Sequence, residues 1–288
     1  MVLLLNLKFL SFISIISSIN VSLSFGEYNE AVFLSNIKYP MKIRSVCFLL
    51  VLISFGCTKD DKITFKPISH LADECADCPQ VKITVPKALG NAKVDKVINN
   101  ALNEELIYLL NFNEENDATD IESAITSFTQ GYMDLKKLFA EEATPWVATV
   151  EGLVSYEDKE IITIKLDSYL FTGGAHGYNT THYLNFSKRK GIELNTEHLF
   201  KNKVDFEEYA EFKFRIQEEI PAHEHINSTG FMFETGRFYL PQNIGYTKQG
   251  IQLFYEQYEI ASYADGSIVL TIPYSEIQKY LEHSPKQK

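Results

Sequence analysis

An α+β fold, with antiparallel sheets packed against helices in two subdomains of similar size, is what the order of elements in this chain predicts. Three observations carry that expectation. Two amphipathic helical stretches follow one another between residues 91 and 140. Three strand-like stretches then come in succession, up to residue 186. A further helix follows, and after it the chain returns to strands. Runs of helix and runs of strand without regular alternation favour antiparallel pairing over a βαβ sheet.

Taken in order, residues 81–85 alternate as a short strand that Pro86 is expected to end. Residues 91–112 place Val94, Val97, Ile98, Ala101, Leu102, Leu106 and Leu109 at helical spacing. Residues 119–140 repeat the pattern with Ile121, Ala124, Ile125, Phe128, Tyr132, Leu135 and Phe139, after the acidic segment 113–117. Strands are expected at 146–156 and 161–171, with Glu157-Asp158-Lys159 as their hairpin connection. A third strand, 178–186, follows the turn Gly173-Gly174-Ala175-His176-Gly177. Residues 206–220 form a helix with Phe206, Tyr209, Ile216 and Ile220 on one face and glutamates on the other. Strands at 231–240, 250–258 and 267–272 come next; Pro273 stops the last, and Ser275 caps a short helix over 275–281. The subdomains are therefore 80–186 and 187–288, behind a polar linker over 57–79.

The segment before the linker has a layout of its own. Met41-Lys42-Ile43-Arg44 is a basic start, residues 46–55 are an apolar run, and Gly56 precedes Cys57. Thr58-Lys59-Asp60-Asp61 then turns polar at once. That is a signal peptide over 41–56 cut before a cysteine, so Cys57 is expected to be acylated and to anchor the chain in a lipid bilayer. Several acyl chains make such an anchor stable where one would not. Ser54-Phe55-Gly56-Cys57 is a loose lipobox, with a bulky Phe where many lipoproteins carry a small residue. It resembles the lipoboxes of Bacteroidetes, in which a nearby Lys-Asp-Asp looks like a surface-export tag; the plainer reading of Lys59-Asp60-Asp61 is a charged linker. The expected location is outer-membrane or cell-surface, and extracytoplasmic. Residues 1–40 are read as an extension upstream of a true start at Met41. The rival reading is a transmembrane anchor over the apolar residues 1–25, whose only charge is Lys8.

The whole chain carries 27 basic and 38 acidic residues. The four basic and two acidic residues before Cys57 leave 23 against 36, a formal −13. Such a surface repels phosphate backbones and steers cationic partners towards itself, so nucleic acid is excluded as a partner. Beyond Cys57 only Cys75 and Cys78 remain. Zinc would need two further ligands at suitable spacing, and a redox thiol would need nearby cations rather than Asp73, Glu74 and Asp77. A small structural disulfide between them is the favoured reading in an oxidising compartment.

Two segments are more specific than any of these patterns. The first is residues 168–177, SYLFTGGAHG, followed by Tyr183-Leu184-Asn185-Phe186 and Gly191-Ile192-Glu193-Leu194. The second is residues 246–255, YTKQGIQLFY, with Tyr258-Glu259-Ile260-Ala261 and Ile272-Pro273-Tyr274-Ser275-Glu276 beyond it. Together they resemble the paired extracellular domains of RsiV-type anti-sigma factors and of the accessory region of PdaC-type peptidoglycan deacetylases. The resemblance spans roughly residues 75–285. It implies an outer module whose best-supported role is binding, with lysozyme the ligand in RsiV-type proteins. Neither a sigma-binding segment nor a separate metal-dependent deacetylase domain is expected from these residues.

The candidate binding residues are Gly173, Gly174, His176, Tyr178, Tyr255, Tyr258 and Tyr263. Glycines can bring backbone amides close to a ligand, and tyrosines can stack sugars or anchor a protein; a tight turn and a filled core are the structural alternatives. His223-Glu224-His225 looks metal-like, but ligands on one helix face sit four residues apart, so no metal site is expected, even with His182 or His198 nearby. No nucleophile elbow and no identifiable carboxylate pair points to catalysis. No catalytic residue and no cofactor are expected. The partners expected are a cationic protein, lysozyme-like, or a peptidoglycan fragment. The alternatives are a glycan-directed hydrolase or deacetylase centred on His176, and a structural envelope accessory.

Overall fold

The computed structural model describes residues 62–72, 75, 77–90, 93–112, 118–141 and 143–285. The lipobox with Cys57, the signal segment 41–56 and the extension 1–40 lie outside the described residues.

The first sheet has six strands in sequence order: β1 (Thr64–Leu71), β2 (Gln80–Leu89), β3 (Val147–Glu157), β4 (Ile161–Phe171), β5 (Tyr178–Ser187) and β6 (Ile192–Leu194). Every neighbouring pair is antiparallel except β2 and β3, which run parallel with Gln80 opposite Val147. A parallel pair needs a long crossover. Here it is the helical pair α1 (Val94–Leu110) and α2 (Ile121–Leu138). Both helices bury their apolar stripes in one core with the sheet, around Ile83, Ile98, Leu106, Phe128, Val150 and Phe186. Asp120 starts α2 through a reciprocal cap: its carboxylate accepts from the Ser123 amide at 2.8 Å, and the Ser123 hydroxyl oxygen accepts from the Asp120 amide at 3.1 Å.

A second core is strongly aromatic. It gathers Phe206, Phe214, Phe233, Tyr246 and Tyr255 among the short helix α3 (Thr196–Leu199), α4 (Lys203–Gln217), β7 (Asn243–Tyr246), β8 (Ile251–Tyr255), β9 (Ile268–Ile272) and α5 (Tyr274–Ile277). The three strands form an antiparallel sheet in the order β7-β8-β9. Asn202 caps α4 by accepting from the amides of Val204 and Asp205 at 3.1 and 3.4 Å.

The α+β class holds, and several elements differ from expectation for physical reasons. The stretch read as linker contains β1, paired along its length with β2 from Thr64 opposite Leu89 to Leu71 opposite Lys82. Its polar alternation and Pro67 suit a sheet edge, where only one side of the strand is bonded. The connection between β1 and β2 contains Cys75 and Cys78, joined as a disulfide. Pro86 does not end β2. It lies past Thr84, where β2 parts from β3, so its missing N–H costs no ladder bond.

Residues 231–240, read as a strand, are an irregular wedge. Phe233 donates its amide to Asn227 Oδ1 at 2.9 Å and receives Asn227 Nδ2 at its carbonyl at 3.0 Å, so a side chain replaces a neighbouring strand. The last helix begins at Tyr274 behind Pro273, without a side-chain cap from Ser275.

Candidate binding site

The loop between β4 and β5 begins after Phe171, and Leu170 opposite Tyr178 is the last paired position before it. Gly173 and Gly174 take φ of +102° and +84°, where L side chains are strained, although a Cβ there would meet nothing within 4 Å. These glycines serve the turn itself. Gly177 is buried, and the Tyr169 ring occupies the space a Cβ would need. The chain between them therefore arches outward and exposes His176, whose Nδ1 lies 3.3 Å from the Gly177 carbonyl.

A second loop, residues 256–266, comes up against the first. Its single 3-10 turn, Tyr263–Asp265, is held by Asp265, which accepts from the Ser262 amide at 3.1 Å. Tyr263 then stacks on the His176 ring with centroids 3.9 Å apart and planes 20° apart. Its hydroxyl donates to the Gly177 carbonyl at 3.1 Å. Tyr178 makes the reverse connection, donating to the Gln257 carbonyl at 3.2 Å. Tyr258 lies beside Tyr263 with centroids 5.5 Å apart, is 59% exposed, and holds φ of +69°. His176, Tyr263 and Tyr258 thus form one aromatic platform that presents an exposed ring from a strained backbone.

Gly173, Gly174, His176, Tyr178, Tyr258 and Tyr263 are brought together; Tyr255 is not. Its side chain is 0% exposed in the second core and its hydroxyl donates to the Tyr239 carbonyl at 2.7 Å. Strand alternation explains this: β8 points Leu253 and Tyr255 to the same inner face. His223 and His225 are exposed in a turn after α4, with His225 Nδ1 accepting from the Asn227 amide at 3.2 Å. Among the described residues no three His, Cys, Asp or Glu side chains are grouped to hold a metal ion.

One charged cluster was missed from sequence. His182 on β5 pairs with Glu105 on α1 at 2.8 Å. Burial lowers the pKa of His182, but the hydrogen bond and charge of Glu105, with Glu193 and Glu256, more than offset it and hold the imidazole above its ordinary value. Burial raises Glu193, and Glu104 and Glu105 add to the rise against the opposing charge of His182. Burial chiefly pushes Glu256 up to about 7, with the charge of Glu259 adding to it, against hydrogen bonds from the Thr181 backbone and Asn243. Glu256 Oε2 is buried without a partner among the described residues. Glu105, His182, Glu193 and Glu256 are spread over 151 residues of the chain, so no local spacing announces them.

Comparisons with known proteins fall on the same two halves. Residues 73–179 match a family described as "Deacetylase PdaC", and residues 194–275 match "Protein of unknown function (DUF3298)". The chain thus pairs a PdaC-type with a DUF3298-type region. No curated protein sequence matches it. A DUF3298 family member from Bacteroides fragilis has a similar structure, with a TM-score of 0.56 at 20% identity, over 78% of this chain and 94% of its own. A DUF3298 family protein from Pseudomonas aeruginosa is similar with a TM-score of 0.54 at 18% identity, over 80% of this chain and 98% of its own. At these identities the likeness speaks to the fold.

Proposed function

We propose that this protein is a non-catalytic binding module tethered at the cell envelope through an acylated Cys57, and that its ligand is a cationic protein of lysozyme-like character. The observation that carries this reading is the aromatic platform, with Tyr258 exposed at φ +69° beside Tyr263 and His176. A non-glycine residue in the left-handed region costs roughly 1 kcal/mol, and such strain persists where the surroundings enforce it, often at ligand-contacting sites. Exposed tyrosine beside further aromatics is the composition of an interface anchor. The acidic balance of the chain supplies attraction to a cationic partner. The two family matches support an accessory module of the extracellular kind.

A catalytic role for His176 finds less support. Its ring is exposed and flat against Tyr263, and no carboxylate contacts it among the described residues.

The test is surface-immobilised binding of lysozyme to the full chain at low and at moderate salt. Binding should weaken with salt, and Tyr258→Ala should weaken it by roughly tenfold or more, the scale of an interface anchor. No binding at low salt would overturn the protein-ligand reading. Capture of peptidoglycan fragments lost in the same variant would move the reading to a glycan.

A further inference from the structure

The outer face of α4 is apolar at its centre and acidic at its ends. The inner stripe of the helix, Phe206, Ala210 and Phe214, is fully buried in the second core. At about 100° per residue, Phe212 and Ile216 fall on the other side. Ile216 therefore does not take the inner face expected for it beside Phe206: it is 58% exposed, and Phe212 is 57% exposed. Neither belongs to a core. Residues four apart on a helix are neighbours, so the two make one patch. Tyr209 extends it, with its ring centroid 6.3 Å from that of Phe212. On that flank the patch closes. The Tyr209 hydroxyl donates to Glu276 at 2.7 Å, its ring lies 5.4 Å from that of Tyr280, and the exposed Lys279 ammonium sits 4.6 Å over Tyr280. Apolar side chains exposed singly are ordinary, whereas a joined patch that the core does not use points to an interaction.

The charges around it are unbalanced in one direction. All three cations of α4 are engaged: Lys203 with Glu197, Lys213 with Glu276 at 2.9 Å, and Arg215 with Glu211 at 2.7 Å. Asp205 and Glu208 near the start of α4, and Glu219 just beyond its end, are exposed and have no ion pair among the described residues. The face thus reads acid, apolar, acid over roughly 20 Å of helix.

That order selects the occupant. A second copy laid antiparallel on this face would set Asp205 and Glu208 against Glu219, and a parallel one would set each acid against itself; both juxtapositions are repulsive. A helix with apolar residues at three- and four-residue spacing in its middle and lysine or arginine towards both ends meets apolar with apolar and charge with opposite charge. The Lys279 ammonium turns such cations away from the Tyr280 flank. We propose that the outer face of α4 is a docking surface for a basic amphipathic helical segment of another protein, seated on Phe212 and Ile216 with its cations towards Asp205, Glu208 and Glu219. The surface shares no residue with the aromatic platform, so neither reading depends on the other.

The experiment is fluorescence-anisotropy titration of the full chain into a labelled synthetic 18-residue peptide of leucine and lysine, with leucines at helical spacing, at about 0.15 M salt. The controls are a peptide of the same composition in scrambled order and a leucine–glutamate peptide of the same pattern. Saturable binding of the first peptide at micromolar concentration, and of neither control, is expected. Phe212→Ala with Ile216→Ala should weaken it about tenfold, the scale of a lost interface anchor, and leave thermal unfolding unchanged because both side chains lie outside the cores. Glu208→Lys should weaken it about threefold, the scale of an exposed ion pair. Tyr258→Ala, in the aromatic platform, should leave it unaltered, so failure here and failure of the lysozyme-like reading are told apart. Equal binding of the scrambled peptide would overturn the proposal, as would undiminished binding in the double alanine variant. Dimerisation of the full chain in sedimentation, abolished by the same double variant, would overturn it in favour of a second copy.

Discussion

At the scale of single residues, asparagine does the work of missing strands. Asn243 on β7 donates to the Thr181 carbonyl and accepts from the Tyr183 amide at 2.9 Å, so its side chain satisfies the free edge of β5. Asn185 on β5 returns the favour: it donates to the Ile244 carbonyl at 2.7 Å and accepts from the Tyr246 amide at 3.4 Å. A carboxamide can replace a peptide group because it carries the same donor and acceptor. Asn185 is only 3% exposed and also accepts the Thr163 hydroxyl at 2.8 Å. Asn185→Leu keeps the volume and strands three polar groups in a dry place. It should cost about 3 kcal/mol by urea denaturation, against about 1–2 kcal/mol for the more accessible Asn243→Ala. Because both amides join the same pair of strands, the double variant should be non-additive by at least ~0.5 kcal/mol. Additive losses would mean the two asparagines act separately.

At the scale of elements, the long periodic stretches were legible and the short or edge ones were not. α1, α2, β3, β4 and β5 lie within two or three residues of where spacing places them, since each buries a continuous stripe or face. β1 was hidden because its burial alternates weakly at an edge, and β7 because four residues with a central glycine carry no pattern. Gly245 is there for contact: a Cβ would run into the Tyr183 ring, a fact no local reading holds. The loop site was half legible. The glycines and tyrosines stand out in sequence, but the stacking of His176 on Tyr263 joins positions 87 residues apart. Tyr258 gives a clean test of strain at this loop. Tyr258→Gly removes the left-handed penalty of an exposed side chain and should stabilise the protein by about 1 kcal/mol, while weakening ligand capture as Tyr258→Ala does. A loss of stability would mean the exposed ring holds the loop together. The disulfide is a smaller element. With a sequence separation of 3 its loop is short, so replacing both cysteines by serine should cost at most about 2 kcal/mol in thermal or urea unfolding.

At the scale of the whole molecule, the two cores meet along β5, and the charged cluster sits on that same strand. His182 projects towards Glu105 of α1 and Glu193 of β6, while Glu256 and Glu259 approach from the loop after β8. The direction of its pH dependence follows from which protons folding retains. Glu256 is held at about 7, above its ordinary 4.5, so between those values the folded chain binds a proton that the unfolded chain has lost. Its contribution to stability is therefore present in acid and lost as pH rises through about 7. His182 is raised as well, so its contribution is present below its ordinary 6.5 and is lost as pH climbs through the folded value. Both act in one direction across neutrality. Glu256 is only half-buried, and solvent screening reduces its share to about 1 kcal/mol. Urea unfolding at about pH 5 and about pH 8 should show wild type losing stability relative to Glu256→Gln as pH rises, since the amide keeps the shape without the charge. His182→Gln should remove a further part of the slope, because the paired carboxylate of Glu105 then has no titrating neighbour on β5. Parallel pH profiles for wild type and both variants would show that the cluster does not couple the cores to protonation.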